Sequence, residues 1–280
     1  MCLDSGEENR SNVKEALGVK NTIEEGGRLL EERPIGINWI KGVHKALMEH
    51  AALRSGVPGE FRNVGVTVGD YTPPERQHVS DLMSNLTNYI HSETYVTPIV
   101  KIAIVHAQFE IIHPFTDGNG RVGRLLIPFL MKEYGLTDDV SFFVSYYFER
   151  HKSNYIFWLG NITKENNWNG WIDFFLHSIK ECADELLSKV EQITDLYMDG
   201  SFLQFSNDSS QHIKSYIFHK PFFTIPDLVD YFEENNIPLK SEKGLHRIIA
   251  NSPDIKISTQ GRGRRKTVYA CERIINLLEL

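Results

Sequence analysis

Twelve residues, HPFTDGNGRVGR from His113 to Arg124, bring together an imidazole, a carboxylate, two guanidinium groups and a glycine-rich turn. That combination suits a phosphate. His113 titrates near neutrality and can take a proton from an attacking hydroxyl. Asp117 can hold a hard divalent cation such as Mg²⁺, which takes one or two carboxylates together with phosphate oxygens and water. Arg121 and Arg124 stand three apart, on one helix face, and their forks match phosphate oxygens. Asn119 can donate an amide hydrogen to the same oxygens. Singly, each residue also has a structural reading: a His-Pro pair ends helices, Asp-Gly makes turns, and paired arginines often lie on a solvated face. Their joint occurrence reads as phosphoryl or nucleotidyl transfer.

The elements that must position these groups are legible on either side. TPIVKIAIVHAQFEII, residues 97–112, has apolar residues at helical spacing, and LLIPFLMKEYG, ending at Gly135, is a second such pattern. Pro114 and Gly118 break the chain between them, which predicts helix, short loop, helix. Gly118, Asn119 and Gly120 then fall at the first turn of the second helix, where backbone N–H groups lack partners and the macrodipole favours an anion.

The string resembles the signature of Fic-domain proteins, His-Pro-Phe-x-(Asp/Glu)-Gly-Asn-Gly-Arg-x-x-Arg, at every specified position. HKALMEH, PGEFRNVGVTVGDYTPPE, SYYFERHKSNY and NNWNGWIDFFLHS also resemble Fic-core sequence in the expected order, so the likeness spans roughly residues 36 to 180. The resemblance implies a mainly helical core with a short β-hairpin flap that transfers AMP from ATP to a Tyr, Thr or Ser hydroxyl of a target protein. It implies His113 as general base, Asp117 on Mg²⁺, and a nucleotide cradle of Gly118, Asn119, Gly120, Arg121 and Gly123, with Arg124 on the γ-phosphate. Phe115 is expected to point into the core. Residues 62–74, RNVGVTVGDYTPP, are expected to form the flap on which an extended target segment docks by strand addition. Tyr155, with Ile156 and Trp168, stands where the family walls the adenine pocket; as aromatic and apolar residues these equally read as core.

The resemblance also implies an inhibitory helix with the pattern (Ser/Thr)-x-x-x-Glu-(Gly/Asn). In KNTIEEGGRLLEE, Glu25 precedes Gly26 as the pattern asks, while Asn21 stands in the hydroxyl position. Glu25 is therefore the inhibitory candidate, set to pair with Arg124, ahead of Glu24. The same residues also read as a charged surface helix with a Gly-Gly stop.

At 280 residues the chain is long enough for a full core and a small second domain. Its net charge of -7 argues against wholesale nucleic-acid binding, and three scattered cysteines support neither a disulfide framework nor a zinc site. With no apolar signal region or membrane-length run, a cytoplasmic protein in a reducing compartment is expected, with no membrane contact. The expected organisation is an N-terminal segment 1–35, the Fic core 36–198, a Gly/Ser-rich linker 199–210 and a domain at 211–280. There, three helices and two strands around a Gly-Arg turn resemble a winged helix (α+β). Lys240, Lys243, His246 and Arg247 on the third helix, with Arg262, Arg264, Arg265 and Lys266 on the wing, make DNA a possible partner. Protein contacts, including a homodimer, are the alternative. Three functions thus stand: an autoinhibited adenylyltransferase, a DNA-binding regulator that uses the core as a nucleotide sensor, and a hydrolase that removes AMP.

Overall fold

The structure, a computed structural model, describes residues 5–50, 56–204, 210–239, 241–260 and 266–278; for residues 5–17 and 50 it describes the backbone alone. The chain divides into two compact units, residues 1–182 and 183–280. The first is helical: α1 (Ser5–Glu32), α2 (Ile37–His50), α3 (Val79–His91), α4 (Pro98–Ile112), α5 (Asn119–Glu133), α6 (Ser145–Arg150) and α7 (Lys152–Glu165), followed by the first part of α8 (Trp168–Met198).

Helix α4 is the axis of this unit. It starts with a proline at its first turn, where no N–H is needed, and Ile102, Ala103, Val105, Ala107, Phe109 and Ile112 along it are all buried. A helix apolar on most of its circumference belongs inside a core. Helices α2, α3 and α5 contribute Trp39, Val43, Met83, Leu86, Leu126 and Phe129 to the same cluster. Helix α1 runs through Gly26 and Gly27 without a stop, and the Gly26 carbonyl accepts a bond from the Trp39 indole at 3.0 Å. That bond fixes α1 on α2.

In the second unit the C-terminal part of α8 is followed by α9 (Ser210–His219), β1 (Phe222–Phe223), α10 (Ile225–Glu234), α11 (Glu242–Ala250), β2 (Lys256–Thr259), β3 (Val268–Ala270) and α12 (Glu272–Leu278). The sheet is antiparallel in the order β1-β3-β2, with Phe222 opposite Ala270 and Ile257 opposite Tyr269. Thr224 caps α10 in a reciprocal box with Asp227, and Ser241 caps α11. The Gly/Ser-rich segment after α8 is partly core: Phe202 and Leu203 are buried in this unit, and the Lys214 ammonium binds the carbonyls of Asp199 and Phe202. Residues that look like linker by composition therefore begin a packed body, because two apolar side chains among polar ones suffice to anchor them. Lys243, His246, Arg247 and Lys266 are exposed, whereas Lys240, Arg262, Arg264 and Arg265 lie outside the described residues.

Candidate active site

The loop from His113 to Gly118 joins α4 to α5, and its shape is set by backbone contacts more than by the groups expected to do chemistry. His113 caps α4 in a left-handed conformation, φ 50° and ψ 61°, while its N–H still closes on the Phe109 carbonyl at 2.9 Å. Phe115 follows, fully buried. Asn119 then clamps the loop, its side-chain oxygen accepting from the Phe115 N–H at 2.7 Å and its amide donating to the Phe115 carbonyl at 2.8 Å. The buried Asn119 side chain therefore closes the loop, with one of its two amide N–H groups left outside these bonds.

His44 on α2 supports the loop from beneath. Its ring stacks on Phe115 with centroids 3.7 Å apart and planes 2° apart. The Gly59 N–H donates to Nδ1 at 2.8 Å, so Nε2 carries the proton and donates to the Asp117 carbonyl at 3.0 Å. Burial, the largest influence, holds His44 below the usual histidine range, which agrees with this neutral tautomer. Gly118 turns the chain into α5 at φ 82°, and a Cβ there would lie 2.9 Å from the Met48 sulfur and 3.5 Å from the His44 ring. Only glycine combines that conformation with that space.

Around the first turn of α5 the charged groups converge. Asp117 is about a quarter exposed; its Oδ1 accepts from the Gly118 N–H at 2.6 Å and lies 3.8 Å from Arg121. A terminal nitrogen of Arg121 also reaches the Met48 sulfur at 3.8 Å. The Arg124 guanidinium folds back along the helix to within 3.2 Å of where a Gly120 Cβ would stand. Among the described residues Arg124 forms no hydrogen bond or ion pair, and its charge acts on His106 and Glu110 behind it. The imidazole of His113 is half-buried. Burial holds it below the ordinary histidine value and the Arg62 charge works the same way, against a backbone interaction with Glu110. His113 is therefore neutral at physiological pH and able to accept a proton.

A Cβ on Gly123 would fall 2.0 Å from Glu110 Oε1 and 3.1 Å from the Phe109 ring, and its carbonyl accepts from His106 Nδ1 at 2.9 Å. Its lack of a side chain lets α5 approach α4. The Tyr155 hydroxyl bonds to His106 Nε2 at 3.0 Å, and its ring packs 4.8 Å from Phe148. That end of Tyr155 belongs to the core, while Ile156 is exposed. Sequence reasoning assigned no part to His44, Arg62, His106 or Glu110; of these, His44 and Arg62 lie about 50 or more residues from the loop and carry no local signal.

The flap is smaller than a strand pair. Residues 62–74 contain one bridge, Val68 with Tyr71, whose N–H groups bond each other's carbonyls at 2.9 and 3.0 Å. Glu25, expected to reach Arg124, is ion-paired to Arg28 at 2.7 Å on a half-exposed face of α1, and this partner lowers its pKa. Glu24 lies 3.7 Å from Lys20.

No described group of three or more His, Cys, Asp or Glu side chains could hold a metal ion. A magnesium ion would rest here on the single carboxylate of Asp117, whose Oδ2 accepts no hydrogen bond among the described residues and which is partly open to solvent. One carboxylate plus phosphate and water is a donor set that Mg²⁺ accepts.

A buried, apolar helix leads through a histidine-capped loop to a glycine-turned helix N-terminus, with the charged groups gathered at that turn. Residues 34–131 match the Fic/DOC family model, and the chain carries a Fic domain. It is similar to the protein adenylyltransferase fic-1 of Caenorhabditis elegans, 33% identical over 107 residues, and to the probable protein adenylyltransferase aq_aa38 of Aquifex aeolicus, 37% identical over 82 residues. The matches cover 38% and 29% of this chain but only 21% and 26% of those proteins. A crystal structure of a Fic family protein from Desulfovibrio desulfuricans G20 shares the fold, with a TM-score of 0.57 at 19% identity over 93% of this chain and 75% of that one. No described helix is long and apolar enough to cross a membrane.

Proposed function

We propose that this chain is a protein adenylyltransferase that moves AMP from ATP to a Tyr, Thr or Ser hydroxyl of a target protein. The observation that carries this reading is the placement of a neutral, half-buried His113 on the loop that delivers the α5 N-terminus with Arg121 and Arg124. The hydroxyl oxygen attacks the α-phosphorus, the bond from that phosphorus to its bridging oxygen breaks, and pyrophosphate leaves. His113 takes the hydroxyl proton. Backbone N–H groups of the first turn of α5, with Arg121 and Arg124, bind and orient the phosphates, so positioning and charge neutralisation dominate. Asp117 would hold Mg²⁺, which when bound supplies charge neutralisation on the phosphates. The target segment docks on the flap by main-chain pairing. Glu25 serves as the inhibitory carboxylate, held by Arg28 in the state described above and competing for Arg124 in the silent one. The helix and strand order of the second unit supports reading it as a winged helix.

ATP labelled at the α-phosphate, incubated with lysate and the full chain, tests the reading. Protein labelling is expected from the parent or its Glu25→Ala variant and is expected to vanish with His113→Ala, while Mg·ATP affinity stays within a few-fold. Equal labelling with and without His113 would overturn it.

A further inference from the structure

Arg62 opens the flap segment, yet it is only 4% exposed. Its side chain spends its charge on backbone alone. Nε donates to the His113 carbonyl at 2.8 Å, one terminal nitrogen to Val64 at 3.1 Å, and the other to Pro74 and, at 3.4 Å, Ile112. Its own N–H donates to the Pro114 carbonyl at 2.8 Å. Among the described residues it has no carboxylate partner. The guanidinium therefore joins Ile112 and His113, at the end of α4 and the start of the catalytic loop, to both ends of the flap, and the Arg62 backbone adds Pro114. The Tyr71 hydroxyl adds a second tie, to the Ile111 carbonyl at 3.0 Å.

His113 is a non-glycine residue in the left-handed region, a conformation that costs about 1 kcal/mol or more and persists only where its surroundings hold it. The carbonyl that Arg62 Nε grips belongs to that residue. We propose that Arg62 is a positioning residue that holds the left-handed backbone of His113, and so the aim of its imidazole, while fastening the flap to the same stretch of chain. Flap and base then keep one geometry, and a target hydroxyl brought in by the flap meets the base in register. This rests on the reading of His113 as base and of residues 62–74 as docking flap. Lysine cannot replace the fork: its ammonium places three donors at one point, whereas the guanidinium spreads five in a plane.

The test compares the full-length parent with Arg62→Lys and Arg62→Met by amide hydrogen exchange and by label transfer from ATP. Both variants are expected to exchange about tenfold or more faster at residues 64–71 and at 113–118 together, the scale of one lost charge-assisted hydrogen bond, with residues 210–278 unchanged. The kcat for transfer is expected to fall by at least about tenfold while the KM for ATP stays within about threefold, a split that general loosening of the fold does not produce. Should Arg62→Met fail to fold, Arg62→Lys, which keeps charge and bulk, carries the comparison. Wild-type behaviour of Arg62→Lys, or faster exchange in only one of the two segments, would overturn the proposal. A chain that transfers no label either as the parent or as Glu25→Ala refutes the adenylyltransferase reading, and the exchange arm still decides the role of Arg62.

Discussion

Replacing Glu110 by glutamine isolates the electrostatic strain behind the motif. The Glu110 carboxyl is fully buried, its Oε1 has no hydrogen-bond partner, and burial pushes its pKa up to about 7 although the Arg124 charge pulls the other way. Its ordinary value is 4.5. The folded state thus binds the proton more tightly than the unfolded state. Stability from this group is full below pH 4.5 and is lost as pH rises through 7, a total of about 3 kcal/mol. The same relation gives a loss of about 1 kcal/mol between pH 6 and pH 8. Glutamine keeps the shape and never ionises, so Glu110→Gln should gain about 1 kcal/mol on the wild type over that interval. His106, pushed down to about 4 by burial, works in the opposite sense on the acid side, as do His44 and His113. These contributions cancel in the difference between the two proteins. Urea unfolding followed by tryptophan fluorescence is the assay, because Trp39, Trp158, Trp168 and Trp171 are the chain's four tryptophans and all lie in the first compact unit. Parallel stability curves for the two proteins from pH 6 to pH 8 would refute the reasoning.

Asn119→Ala should cost roughly 2–4 kcal/mol, since it removes two hydrogen bonds and strands the buried Phe115 N–H; denaturant titration of the same fluorescence reads it. Gly118→Ala should cost about 1–2 kcal/mol for the left-handed backbone, and Mg·ATP binding by calorimetry should weaken with it because the turn into α5 shifts. Glu25→Ala should raise label transfer by one to three orders of magnitude, about 1.4–4 kcal/mol of barrier, with Glu24→Ala doing much less. Equal gains from both variants would count against Glu25 as the specific inhibitory carboxylate.

The parts of this molecule that were legible in the sequence are those governed by neighbours along the chain. The helix–loop–helix around HPFTDGNG and the glycine turn at 118 follow from local pattern, and the burial of Phe115 is what the family resemblance implied. The loop-closing role of Asn119 was not legible because an amide beside a phosphate and an amide closing a loop look alike until the Phe115 backbone is placed against it. The packing role of Gly123 was hidden for a similar reason, as its need for space comes from Glu110 on another helix. His44 and Arg62 reach the site across 73 and 51 residues of chain, and no spacing rule spans that distance. Phe202 and Leu203 were hidden by the polarity of their neighbours.

The way the flap is fastened has an evolutionary consequence. Arg62 holds the flap at Val64 and Pro74, and Tyr71 anchors its returning limb. Between these points Gly65 to Asp70 contribute only the Val68 bridge, and all but Val66 are exposed. Apart from Gly69, whose φ of 57° favours glycine, these residues can therefore be exchanged or recoloured in charge without removing a side-chain contact on which the catalytic loop depends. On the proposed reading of residues 62–74 as docking flap, such a segment is a cassette: a lineage could retarget the domain by rewriting it while the loop and its anchors are inherited intact, and a designer could graft a foreign sequence between the same two anchors.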